Sequence, residues 1–295
     1  VRLLGTWDLP GHGGPVYALA CNQEQHALFS GGADGIVAEW RCFSGKQARA
    51  VAQTPGAIYA LHWLPGKKYL YVGESSGTVY TLDLAEKKLF RAVKAHESAV
   101  FGLASHPDAP EGWSSGRDGQ FLYWDVHEAR PYAKVSVTPA GLRGFTRAQE
   151  SFFCAGRDGK LYQIPRGQYH VAKSVAADPQ FVFALQASPD GQWIAAGGKS
   201  GTLQLWTPDL QPVWEAPAHA YTLSALAWHP TGYLLATGGR DRVIHLWDVA
   251  ERKKCLTLPG HVRSVNALLW IDCETLASAG DDGLIKVWHL EGLPA

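Results

Sequence analysis

Glycine-centred turns recur along this chain at a nearly constant interval. The segments SGGADGIVAEW (Ser30 to Trp40) and SSGRDGQFLYW (Ser114 to Trp124) are followed by CAGRDGKLYQI, AGGKSGTLQLW, TGGRDRVIHLW and SAGDDGLIKVW. The last turn residue falls at Gly35, Gly77, Gly119, Gly159, Gly201, Arg242 and Gly283, in steps of 42, 42, 40, 42, 41 and 41 residues. Seven units of this length account for essentially all 295 residues. The chain therefore reads as one repeat-built domain, 1–295, instead of the two that length by itself suggests.

Each unit has the same grammar. VYALA (Val16 to Ala20) alternates as a half-buried strand does. HALFS (His26 to Ser30) makes a second strand and IVAEW (Ile36 to Trp40), after the turn, a third. KQARAVAQ (Lys46 to Gln53) is a more polar fourth. No stretch sustains a helical period. Four short antiparallel strands cannot bury both faces alone; seven such sheets packed radially can. Lys46, Lys87, Lys88, Lys134, Lys173, Arg252, Lys253 and Lys254 fall on the fourth strands, where charge discourages pairing at a sheet edge.

Composition narrows the function classes. Twenty-seven basic residues balance 27 acidic ones, which argues against holding nucleic acid or anionic lipid by bulk charge. No apolar run approaches the roughly 18 residues of a membrane span, and VRLLGTWDLP does not read as a signal peptide. Five scattered cysteines without a CxxC pair suggest free thiols in a reducing compartment, hence the cytoplasm.

At its turns and strand ends the sequence resembles the WD-repeat β-propeller family over all seven units. Trp124-Asp125 and Trp247-Asp248 carry the dipeptide, with partial matches at Trp40, Trp206 and Trp288. Gly11-His12 and Gly260-His261 carry the Gly-His element, with Ala95-His96 and Ala218-His219 close to it. The family pairs that His with a turn Asp, a second-strand Ser or Thr and the Trp. His12, Ser30, Asp34 and Trp40 fit, as do His96, Ser114, Asp118 and Trp124. His219, Thr237, Asp241 and Trp247 fit as well, and so do His261, Ser278, Asp282 and Trp288. Carboxylate, imidazole, hydroxyl and indole can satisfy one another in a chain inside each sheet.

The resemblance implies an all-β, seven-bladed propeller of four-stranded antiparallel blades, closed by an N-terminal strand, Arg2 to Leu9, that completes the last blade. The build, without tails or an inserted domain, resembles a stand-alone bacterial member. Units two, four and five depart from the pattern. They have Ser76 and Leu82, Cys154 and Ile164, and Ala196 and Ser200 at relay positions. These blades are expected to rely more on apolar packing.

Catalysis is not expected. Four of the 12 histidines belong to the relays, and a Ser–His–Asp grouping repeated in four blades speaks for architecture, since one site needs one nucleophile. His62, His106 and His229 read as surface histidines. No HxH, HExxH or CxxC spacing marks a metal site, and no glycine-rich phosphate loop is present. The expectation is therefore no catalytic residue, no metal and no cofactor.

The resemblance also implies that partners sit on the face carrying the loops before the first strands and between strands two and three. The residues before the turn Asp run Ala33, Ser75, Arg117, Arg157, Lys199, Arg240, Asp281, a basic arc over four consecutive blades. Early first-strand positions run Tyr17, Tyr59, Phe101, Arg143, Phe183, Ser224, Asn266, with Phe181 nearby. Tyr, Phe and Arg are favoured at interface centres. The expectation is a monomeric, non-catalytic scaffold that binds an acidic peptide with an apolar or aromatic anchor, away from membranes. An RNA-associated or assembly subunit could use the same residues through stacking and phosphate contact. An enzyme with a channel-mouth site is the least favoured reading.

Overall fold

A computed structural model describes residues 1–22, 24, 27–41, 48–64 and 66–293. His26, expected to open a second strand, and Lys46, expected on an edge, lie outside the described residues.

Seven four-stranded antiparallel sheets form in sequence order. Their first strands are Val16–Asn22, Ile58–Leu64, Val100–Ser105, Leu142–Ala148, Val182–Ala187, Leu223–Trp228 and Val265–Trp270. Each first strand contacts the next, and the seventh contacts the first, so the blades form a closed ring. No helix among the described residues is long and apolar enough to cross a membrane.

Ring closure is non-covalent. The opening strand, Arg2–Pro10, pairs antiparallel with Leu284–Glu291 and supplies the fourth strand of blade seven. Leu9 is buried there, and Lys286 Nζ donates to Asp8 at 2.6 Å.

The core lies between blades. One cluster joins Ile244 and Leu246 of blade six to Val265, Leu268 and Leu276 of blade seven. Close approach demands small residues on the second strands. A Cβ at Gly238 would lie 2.6 Å from Val265 Cγ1, so a side chain there would displace the next blade. The turn between strands two and three has a left-handed residue in every blade. Six are glycines, with φ from 72° at Gly35 to 101° at Gly77. The seventh, Arg242, holds φ 75° at a cost of roughly 1–2 kcal/mol relative to glycine.

The fourth strands are largely exposed, as their polar sequences require; Lys88–Lys94 is the clearest case. Lys87 and Arg252 sit in the preceding turns with left-handed backbones instead of on the strands.

Every first strand carries a β-bulge at the same place, for instance between Val16 and Ala18 and between Leu142 and Gly144. The residues skipped are Tyr17, Tyr59, Phe101, Arg143, Phe183, Ser224 and Asn266. A bulge frees one residue from the ladder and re-aims its side chain. Here that happens seven times around one axis.

Candidate upper-face site

The loops of the upper face are tied to the blades by hydrogen bonds. In blade one, His12 Nδ1 donates to Asp34 Oδ2 at 2.9 Å, Ser30 Oγ lies 2.7 Å from His12 Nε2, and Trp40 Nε1 donates to Ser30 Oγ at 2.7 Å. Asp34 also accepts the backbone N–H groups of Gly13 and Ile36, joining loop to turn. The same chain of contacts runs through His96, Asp118, Ser114 and Trp124. It recurs in His219, Asp241, Thr237 and Trp247, and in His261, Asp282, Ser278 and Trp288. Burial pushes the Asp34, Asp118 and Asp282 carboxyls up, yet backbone N–H donors and the imidazoles outweigh it and hold them below their ordinary value. Burial lowers His219 and His261 in spite of their carboxylate partners.

In the three departing blades Leu82, Cys154, Ile164 and Ala196 pack into apolar clusters as expected, and carboxylates hold the loops beside them. In blade two Glu74 accepts from Ser75 Oγ at 2.8 Å and from Ser76 Oγ. In blade four Asp158 accepts from Thr138 Oγ1 at 3.0 Å and from Tyr162 OH. In blade five Asp178 takes the loop place that histidine holds elsewhere and accepts Ser200 N at 3.0 Å. Loop and turn polar groups still need partners after the histidine is lost, and nearby carboxylates supply them. Trp206 is the exception: its Nε1 is buried without an acceptor.

The seven positions before the turn Asp are equivalent in space. Each backbone N–H donates to the residue two before the bulge: Arg117 N to Ala99 O at 2.8 Å, Arg157 N to Gly141 O at 2.9 Å, Lys199 N to Phe181 O at 3.0 Å, Arg240 N to Thr222 O at 2.9 Å. Ala33, Ser75 and Asp281 do the same in their blades. Arg117, Lys199 and Arg240 are exposed, and Arg157 lies with Cζ 5.5 Å from the Phe181 ring centroid. Across the ring Asp281 accepts from Asn266 Nδ2 at 2.7 Å.

Inside this arc the bulge residues meet around the channel mouth. Tyr17 and Tyr59 have ring centroids 4.9 Å apart, and Tyr59 and Phe101 are at 5.2 Å. Arg143 Cζ lies 4.3 Å from the Phe101 centroid and 4.9 Å from that of Phe183. The expected aromatic arc is thus one contiguous wall with a guanidinium set into it. Burial first, then Arg157 and Arg117, push the Arg143 pKa down to about 10. Ser224 and Asn266 form the polar side, with Ser224 Oγ donating to Val265 O at 2.5 Å and Asn266 Nδ2 to Val16 O at 3.1 Å. The mouth encloses a cavity of about 480 Å3 that also reaches Arg240 and Asp281. Phe181 stands beside it, edge-on to Phe183 at 6.0 Å, without lining it.

The reading of His229 as a surface residue is wrong, and His62 is half-buried with its ring turned into a seam between blades. His229 is fully buried and donates from Nε2 to Cys273 O of the next blade at 2.8 Å. His62 Nε2 meets Ser105 Oγ of the next blade at 2.8 Å, and burial pushes its pKa down to about 4. Both serve the seams between blades, which a single unit's sequence does not display. His106 Nδ1 accepts two backbone N–H groups of its own turn. His219, Asp241 and His245 bring possible ligand atoms within 4.8 Å of one another. Both His219 ring nitrogens are already engaged by the relay, so the cluster is a hydrogen-bonded one.

A ring of seven such blades with four relays has a counterpart among known families. The family model for WD40, "WD domain, G-beta repeat", matches residues 2–41, 173–207, 210–248 and 252–289. The chain belongs to the WD-repeat family. The segment between these matches, which holds blades two to four, folds into four-stranded blades of the same construction, blade three with a complete relay and blades two and four without one. Similar proteins include the 66 kDa stress protein of Physarum polycephalum, 23% identical over 296 residues, covering 96% of this chain and 47% of that protein. Actin-interacting protein 1 of Drosophila melanogaster is 22% identical over 96% of this chain and 47% of its own length. Human Gem-associated protein 5 is 23% identical over 96% of this chain and 20% of its own length. The chain therefore spans about half, or less, of the curated relatives it matches.

Proposed function

We propose that this propeller is a non-catalytic scaffold whose upper face binds an acidic segment of a protein partner. The observation that carries the reading is the arc of Arg117, Arg157, Lys199 and Arg240. Four cations occupy equivalent positions on consecutive blades, and none forms an ion pair among the described residues. Unpaired guanidinium groups on a rigid frame suit bidentate carboxylate recognition. The aromatic mouth beside the arc gives an apolar or aromatic anchor a place to sit, with Tyr17, Tyr59, Phe101, Arg143 and Phe183 as its wall. Relatives named for actin interaction and Gem association fit a protein partner in general. The relays fit a scaffold as well: their histidines are committed to holding loops and repeat in four blades.

Fluorescently labelled peptides pairing a glutamate run with a tryptophan or phenylalanine test the idea by anisotropy. The wild type is expected to bind them and to ignore lysine-run counterparts. The triple variant Arg117→Glu/Arg157→Glu/Arg240→Glu, with an unchanged circular dichroism spectrum, is expected to lose binding at least tenfold. Retained affinity in that variant would refute the assignment. A single-stranded RNA arm separates the alternative: preferential RNA binding that falls steeply with salt would replace the peptide reading.

A further inference from the structure

Beneath the mouth, the seven first strands enclose a cavity of about 510 Å3, a volume in the range of small-molecule sites. Alanine and leucine are the commonest residues of its wall, Leu61, Leu103, Leu185 and Leu226 among them, beside polar Ser105, Thr146, Gln186 and Asn266. Two of its lining residues are charged, and both are arginines, Arg143 and Arg147; among the described residues no carboxylate lines this cavity. The one acid at the mouth above, Asp281, already accepts from Asn266.

Both arginines have buried N–H groups without an acceptor, Nε of Arg143 and Nη1 of Arg147. Arg143 is sandwiched between Phe101 and Phe183, and Arg147 lies 6.0 Å from the Trp113 ring centroid. Aromatic faces attract a guanidinium but leave its in-plane donors unsatisfied. Each arginine is only partly buried, and the accessible N–H groups of a guanidinium match the two oxygens of a carboxylate or phosphate.

The spacing adds a constraint. Both residues belong to the strand Leu142–Ala148, Arg143 at the bulge near the mouth and Arg147 one residue from the far end. Four residues of strand separate their backbones by roughly 13 Å. Gly144, Phe145 and Thr146 lie between the two cations, one toward each end of the strand.

We propose that the central cavity binds an elongated organic anion, an apolar stem with an oxyanion group at each end, one received by Arg143 and the other by Arg147. The site shares Arg143 and the other bulge residues with the mouth but uses none of Arg117, Arg157, Lys199 and Arg240, so it can be tested apart from that arc.

Isothermal titration of the full chain with succinate, adipate, suberate and sebacate, and with inorganic phosphate as a single-centre anion, tests the proposal. Affinity is expected to rise at least tenfold from succinate to the best-fitting diacid. Arg147→Gln is expected to abolish that dependence on length, and Arg147→Lys, which keeps the charge without the fork, to restore part of it. Thermal melts of the unliganded variants verify folding. The Arg117→Glu/Arg157→Glu/Arg240→Glu protein is expected to keep the length preference while losing acidic peptides, which separates failure of one site from failure of the other. No saturable diacid binding at millimolar concentration would overturn the proposal. So would equal affinity at every length, phosphate binding alone, or a length preference unchanged in Arg147→Gln.

Discussion

Blade five offers a repair that the other blades specify. In blades one, three, six and seven the third-strand tryptophan donates to a hydroxyl ten residues earlier, at 2.7, 2.8, 3.1 and 2.9 Å. Ten residues before Trp206 stands Ala196, 1% exposed, and Trp206 Nε1 has no acceptor. Ala196 pairs with Leu185 and Gln204, the register in which Ser114 pairs with Leu103 and Leu122. Ala196→Ser therefore places an oxygen where four blades already use one. An orphaned buried donor costs ~1–3 kcal/mol, and a completed hydrogen bond contributes ~0.5–1.5 kcal/mol net. The new hydroxyl proton lacks the imidazole acceptor of the relay blades, because Asp178 occupies that loop place. The expected gain is then about 1 kcal/mol, measured by urea denaturation. A cycle with Trp206→Phe is expected to show a coupling energy of similar size. The mirror variant, Ser114→Ala, leaves Trp124 Nε1 and His96 Nε2 unsatisfied and is expected to lose roughly 2–4 kcal/mol. The reasoning fails if Ala196→Ser is neutral or destabilising and uncoupled from Trp206 while Ser114→Ala behaves as expected.

Two further outcomes follow from closure and from burial. Deleting residues 1–9 removes the partner of Leu284–Glu291 together with buried Leu9, whose transfer from water contributes about 1.5–3 kcal/mol by itself. Calorimetry is expected to show a drop of more than about 5 °C, since ~1 kcal/mol already moves a domain of this size by roughly 2–4 °C; an unchanged melting temperature would defeat the closure argument. Burial lowers His62 and His245 to about 4 and also depresses His219 and His261, all from an ordinary value of 6.5. The unfolded chain takes up these protons first, so the stability they contribute is complete above about pH 6.5 and is lost as pH falls toward 4. Melting temperature is expected to decline between pH 7 and 4.5, and a flat profile across that interval would contradict it.

Much of the architecture was written in local features. The turn residues from Gly35 to Gly283 fix a period, the period fixes the number of blades, and the 21- and 22-residue spacings of His12, His96, His219 and His261 to their aspartates match the hydrogen bonds found. Each of these features sits within one unit of about 42 residues, where strand alternation and turn chemistry act over short distances. The candidate arc was legible for the same reason, since position within a unit determines which face a residue occupies.

What lies between units was not legible. His62 and His229 looked like surface residues because their partners, Ser105 and Cys273, are 43 and 44 residues away in the next blade. Arg147 drew no notice, being unremarkable on its strand until seven strands surround it. The replacement clasps of Glu74 and Asp178 lie within single units and were missed for another reason, since they set a carboxylate where the relay pattern has glycine or histidine. Sequence by itself determined the unit, its turns and its relays, because those are set by neighbours along the chain. Only the closed ring decided that seven bulge residues converge on one mouth, and that two arginines face a cavity lined by no carboxylate among the described residues. Burial and charge around an axis come from all the blades at once and from no single repeat.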